Sequence, residues 1–175
     1  MLGYKVAKNG DTRVIVTLEI PTDARTNMNR LSVAVKEYAT YRTDKAKVVK
    51  IEDVDGNTYT SAESIYYPYA TLYYTAGEMV EEPSFGDPSQ EDGDGIYFFL
   101  KRERADTYGI HWLEDGQLTS WYENGNKEYE VAFVDGLMDG FLRRWSSNGL
   151  KTSDIRYENG KATELHREGC EICYL

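Results

Sequence analysis

Between Gln117 and Gly160 the chain repeats itself every 24 residues, and this constrains its fold more than any other feature. Trp121, Asn124, Gly125, Lys127 and Gly136 return as Trp145, Asn148, Gly149, Lys151 and Gly160, and Asp115-Gly116 returns as Asp139-Gly140. A fixed period of this length marks stacked supersecondary units, none of which can bury its apolar side alone. Asn-Gly and Asp-Gly accept the positive φ of tight hairpin turns. Between the turns Tyr129, Val131 and Phe133 alternate with Glu128, Glu130 and Ala132, and Ile155 and Tyr157 alternate with Asp154, Arg156 and Glu158. The pattern predicts a meander of strands at about 118–123, 126–134, 141–147 and 150–158. Trp121 and Trp145 are odd-numbered too, which puts Trp121, Tyr129, Phe133, Trp145 and Tyr157 on one aromatic interaction face, opposite a charged one.

The first hundred residues carry a different signal. Val14, Val16, Leu18 and Ile20 alternate with polar neighbours in a strand over 13–20 that Pro21 ends. Residues 31–41 read equally as strand or short helix. Ala46–Ile51 is a second strand, turned by Asp55-Gly56 into 58–61, and Tyr66–Tyr74 is rich in tyrosine and broken by Pro68. Residues 81–95 hold two prolines, three glycines and many acids, the composition of a mobile loop dispensable for folding. Ile96–Leu100 is a short apolar strand and Lys101–Tyr108 a helix turning Ala105 and Tyr108 inward. The expected fold is α+β and mainly β: an α+β module over 1–109, repeats over 110–160, and a C-terminal cap over 161–175. The strand 150–158 carries Lys151 and no Pro; left as an open edge it would pair with a second copy, giving a homodimer, whereas Leu165, Ile172, Tyr174 and Leu175 folding back over it as a cap would leave a monomer.

Charge narrows the partners. The net charge is −10, and residues 51–100 contain no Lys or Arg against 11 Asp and Glu. A phosphate-binding surface needs the opposite sign, so direct contact of that half with nucleic acid or anionic lipid is not expected. No apolar run approaches the ~18 residues of a membrane span. Met1-Leu2-Gly3-Tyr4 has no charged-then-apolar leader pattern, which reads as an intracellular protein.

Little in the chain suggests catalysis, and no cofactor is expected. Asp53-Val54-Asp55-Gly56-Asn57 superficially resembles a calcium loop, but its first ligand position would be Ile51, so a hairpin turn explains it better. His166, Cys170 and Cys173 have zinc-like spacing but supply three ligands of four; His111 or a symmetry mate would have to complete the set, and a bound metal is not expected. His111 and His166 are the only histidines, and no nucleophile elbow, P-loop or dinucleotide fingerprint occurs.

Trp121-Tyr-Glu-Asn-Gly-Asn-Lys127 followed by Gly136 resembles the MORN-type hairpin repeat over residues 115–160. That resemblance implies an elongated single-layer sheet used in protein–protein contacts and sometimes in membrane association, with no catalytic residues. The pattern stops after Gly160, where no third Asn-Gly appears and Gly169 stands in place of a third Trp. Upstream, Tyr41-Arg42-Thr43-Asp44-Lys45-Ala46-Lys47-Val48 and Gly95-Ile96-Tyr97-Phe98-Phe99, with Arg102, Ala105 and Tyr108, are similar to an uncharacterised module of large DNA viruses that often precedes such repeats. Two cysteines frequent in that module are missing here. Together these resemblances imply a non-enzymatic viral protein-interaction or scaffold protein, located in the host cytoplasm, a viral factory, the nucleus or the virion. Residues 95–99 with Ala105 and Tyr108 also resemble the strand–helix unit of ADP-ribosyltransferase-like folds. In that alternative Tyr41-Arg42 would supply the early arginine, though no catalytic Glu is singled out.

Overall fold

The computed structural model describes residues 1–65, 71–167 and 173–174, which fall into two compact units, Met1–Asp106 and Thr107–Leu175. The first unit is an antiparallel sheet of eight strands: β1 (Leu2–Asn9), β2 (Thr12–Glu19), β3 (Thr40–Thr43), β4 (Lys45–Glu52), β5 (Ser61–Ser64), β6 (Tyr73–Thr75), β7 (Met79–Glu81) and β8 (Ile96–Phe99). Its order is β3-β8-β1-β2-β4-β7, with β5 pairing both β1 and β6. Asn9-Gly10 makes the first hairpin, Gly10 taking a φ of 57°, and every residue from Leu2↔Glu19 to Asn9↔Thr12 pairs across it. The second edge of β1 is shared: Tyr4 pairs with Phe99 of β8, while Ala7 and Lys8 pair with Ser64 and Glu63 of β5.

The alternation in β2 does what its period implies. Val14, Val16 and Leu18 are wholly buried against Tyr41, Val48, Tyr74 and Phe98. Gly3 is required by this packing, because a Cβ there would stand 2.6 Å from the Phe98 ring. On the reverse of the hairpin Val6 and Ile15 pair and are buried as well.

The expectation of an α+β module over 1–109 is corrected. This unit is β throughout, with one helix, α1 (Arg102–Thr107), of six residues. Ala105 is buried, and Arg13 donates to the Ala105 and Asp106 carbonyls, which occupies acceptors that a helix end leaves open. Residues 31–39 are neither strand nor helix; amides of Tyr38 and Ala39 donate to the Val35 carbonyl in a turn that delivers the chain into β3.

The second unit is a seven-stranded antiparallel sheet of β9 (Gly116–Trp121), β10 (Lys127–Val134), β11 (Leu137–Met138), β12 (Gly140–Trp145), β13 (Lys151–Glu158), β14 (Lys161–Arg167) and β15 (Cys173–Tyr174). The sequence period becomes a period of hydrogen bonds. The Tyr122 amide donates to Asn126 and the Ser146 amide to Leu150; the Gly136 amide donates to Glu114 and the Gly160 amide to Met138. The Asp115 carboxylate accepts the Asp135 amide, and 24 residues on the Asp139 carboxylate accepts the Asn159 amide. Successive Asn-Gly turns are tied together, since Asn124 and Asn126 both donate to the Ser147 carbonyl and the Tyr122 hydroxyl to the Trp145 carbonyl.

Two corrections concern this sheet. The edge at 150–158 on which the homodimer reading rested is covered by the following segment, as the cap alternative had it, for β13 pairs with β14 from Ser153↔Arg167 to Glu158↔Lys161. The two tryptophans share a face, but not the one expected. Trp121 pairs with Lys127 while Ser120 pairs with Tyr129, so Glu128 is a bulge; Trp145 pairs with Lys151 while Arg144 pairs with Ser153, so Thr152 is the same bulge one repeat on. One extra residue reverses the parity of the hairpin. Leu118 and Leu142, even-numbered, therefore join Val131, Phe133 and Ile155 in the core, and the tryptophans fall opposite.

Candidate functional site

In the first unit Arg42 combines full burial with many polar partners. Strand β3 pairs Tyr41↔Phe98 and Arg42↔Tyr97, and all four of its residues are buried. The Arg42 guanidinium is fully enclosed, donating from Nε to the Glu91 carbonyl, from Nη1 to Asp94 at 2.6 Å, and from Nη2 to Asp87 and Gln90. Phe85 lies 5.3 Å below the guanidinium with Arg25 5.2 Å from the same ring. Asn27 completes the clasp, accepting the Arg42 amide and donating to the Gln90 carbonyl. Gly93, at a φ of 135°, permits the approach, because a Cβ there would come within 3.0 Å of Nη1. The acidic segment is thus wrapped around a cation, and its expected looseness is corrected. The same contacts use Arg42 up on main-chain acceptors, so it is not presented to a dinucleotide.

In the second unit the register assembles a different constellation, on the face opposite the core. Lys127 Nζ lies 2.6 Å from Glu130, Glu130 lies 2.9 Å from Arg143 Nη1, Arg143 Nε lies 3.5 Å from Asp154, and Lys151 Nζ lies 2.8 Å from Asp154. Five side chains of alternating sign cross three strands, and the acid-facing lysine recurs with the repeat: Lys127 with Glu130, then Lys151 with Asp154. Burial pushes the Glu130 carboxyl up, but hydrogen bonds from Lys127 and Arg143 outweigh it and hold the group below the usual carboxylate range. Aromatic rings lie under these cations. Lys127 Nζ is 4.9 Å from the Trp145 ring, and Arg143 and Arg156 are 5.0 and 6.0 Å from Phe141.

The interaction residues expected from sequence separate accordingly. Phe133 is buried, Tyr129 and Tyr157 pack against its cluster, and Trp121 and Trp145 stand half-buried on the charged face. Glu130, Arg143 and Asp154 were missed. The signal for the two acids, each three residues after a repeated lysine, was present in the sequence but reads as solvated charge until the register is known, and Arg143 has no such signal.

The remaining candidates are accounted for locally. Asp53 accepts the Asp55 and Asn57 amides, the Asn57 side chain and the Tyr59 hydroxyl, which makes its loop a turn. His111 Nδ1 lies 3.3 Å from the Tyr129 hydroxyl. Of the zinc candidates, Cys170 and the side chains of His166 and Cys173 lie outside the described residues; among the described residues no group of three or more His, Cys, Asp or Glu could hold a metal. No helix among them is long and apolar enough to cross a membrane. Neither a curated protein nor a solved structure matches the chain. One family does match, over residues 1–105, and by that match the chain belongs to the Family of unknown function (DUF5758).

Proposed function

We propose that the chain is a non-enzymatic binding or scaffold protein of a large DNA virus, and that it holds a protein partner on the charged, tryptophan-bearing face of its MORN-like repeats. The observation that carries this reading is the recurrence, at 24 residues, of both a hairpin and its surface: Trp over Lys, with an acid three residues on. A single-layer sheet has two faces, and Leu118, Val131, Phe133 and Leu142 occupy one of them with the unit's own core. The other offers half-buried aromatic rings framed by charges already fixed to one another. Rigid rings and arginines are the groups that dominate protein interfaces, and prearranged charges lower the cost of ordering on binding.

The partner is read as a different protein rather than a second copy, because the edge on which self-pairing rested is filled by β14. The test is affinity capture from infected cells with the intact chain and with a Trp145→Ser, Arg143→Ser variant whose thermal unfolding is first shown to be intact. A partner retained by the parent and lost by the variant supports the reading. Equal recovery by both places binding elsewhere.

A further inference from the structure

The bulged hairpins set one row of side chains straight across the second sheet. Trp121 of β9 pairs with Lys127 of β10, and one repeat later Trp145 of β12 pairs with Lys151 of β13. Lys127 Nζ lies 4.9 Å from the Trp145 ring, so the row reads Trp, Lys, Trp, Lys over four neighbouring strands. Its acids lie further along the strands. Glu130 turns one oxygen to Lys127 and the other to Arg143, and Asp154 divides itself between Arg143 and Lys151. Three cations thus meet two acids, in a chain whose net charge is −10. Each ammonium has three N–H donors and gives one to its acid, and the Lys127 and Lys151 side chains stay 39 and 51% exposed. The turn beside Trp145 and Lys151, Ser146-Ser147-Asn148-Gly149, carries no acid, whereas the turn beside Trp121 carries Glu123.

From this row we infer that the partner segment is an acidic, proline-rich stretch in the polyproline II conformation, lying across the strands with prolines three residues apart on Trp121 and Trp145 and a carboxylate on Lys151. The inference rests on the reading of this face as the partner site and names what the site takes. The two tryptophans hold the same position in successive repeats, two strand spacings or about 9.6 Å apart. One turn of polyproline II advances about 9.3 Å. Same-face side chains of a strand recur at about 6.7 Å and successive turns of a helix at about 5.4 Å, both short of the second ring. A proline-rich segment also arrives with its conformation already set, and aromatic surfaces take up its rings. Charge selects the acidic kind, because the lysines that flank the rings keep donors for a carboxylate while the acids nearby are already paired.

The test titrates the intact chain into fluorescently labelled (Pro-Pro-Glu)4 and reads anisotropy. Beside it stand (Ala-Ala-Glu)4, with the same charge and no polyproline preference, and (Pro-Pro-Lys)4, with the charge reversed. The first should bind saturably and at least about tenfold more tightly than either of the others. Trp121→Ser and Trp145→Ser, each first shown to unfold as the parent does, should each weaken it at least about tenfold. Lys151→Glu, at an exposed position, should weaken it at low salt, and the difference should shrink as salt is raised. No saturable binding of (Pro-Pro-Glu)4, equal binding of (Ala-Ala-Glu)4, full binding by both tryptophan variants, or unchanged affinity in Lys151→Glu overturns the inference. If affinity capture still finds a partner that depends on Trp145 and Arg143 while (Pro-Pro-Glu)4 fails to bind, this inference falls alone and the protein-binding reading of the face stands.

Discussion

Among the cations on the inside of the first unit, Arg42 and Lys5 are accommodated in opposite ways. Arg42 is satisfied by four carbonyls and an aromatic ring. A guanidinium forks toward several acceptors in one plane, whereas an ammonium does not. Arg42→Lys should therefore lose roughly 2–5 kcal/mol although the charge is kept, read as a lower denaturation midpoint. Lys5 has no such acceptors, and folding works against its protonated form. Its pKa falls from 10.5 to about 8, so the unfolded chain binds more protons between those values and stability rises with pH there. Below pH 8 the penalty is present in full. Lys5→Met should then exceed the parent in stability at pH 6, with the difference shrinking by pH 10, as denaturant titrations at the two pH values would show.

At the scale of the element, periodicity was legible and parity was not. The 24-residue repeat located four strands and their turns, because glycine at positive φ and alternating apolar residues are local properties. The bulges at Glu128 and Thr152 are invisible to alternation, and one residue each was enough to send the tryptophans to the charged face. The segment 81–95 failed to declare itself for a different reason. It has little to bury, and the group that orders it, Arg42, lies some forty residues upstream in a strand. Deleting residues 87–93 removes three of the four carbonyls and leaves a buried cation underpaired. The thermal midpoint should drop by about ten degrees or more, each kcal/mol being worth roughly 4–8 °C in a unit of this size. An unchanged midpoint would return the segment to the class of dispensable loops.

Across the whole molecule, the two units keep separate cores, one built on Val14, Val16, Leu18 and Phe98, the other on Leu118, Val131, Phe133 and Leu142. The shift from β2-type alternation to a fixed repeat near residue 110 announces that division in the sequence. The surface network of the second unit could not be read without coordinates, since its five charges come from three strands. A fragment of residues 1–106 contains its entire cluster together with Arg42 and every residue named in its clasp, and should unfold cooperatively by itself. Circular dichroism melting with a broad, non-cooperative loss of signal would show that it depends on the remainder.

The clasp also bears on how freely this acidic segment can change. Asp87, Gln90, Glu91 and Asp94 hold Arg42 through their backbone oxygens, which every residue type possesses and which neither titrate nor exchange counterions. The Arg42 hydrogen bonds are accordingly only weakly tied to the identity of the side chains that carry the oxygens, although Glu91 also pairs with the buried Arg30 and the Asp87 carboxylate accepts the Ser89 amide. Asp92 and Asp94 could become amides, or be exchanged for other polar residues, without loosening the backbone. At those positions the segment can thus alter its surface charge while its path stays the same, a freedom that a clasp built on their carboxylates would deny it.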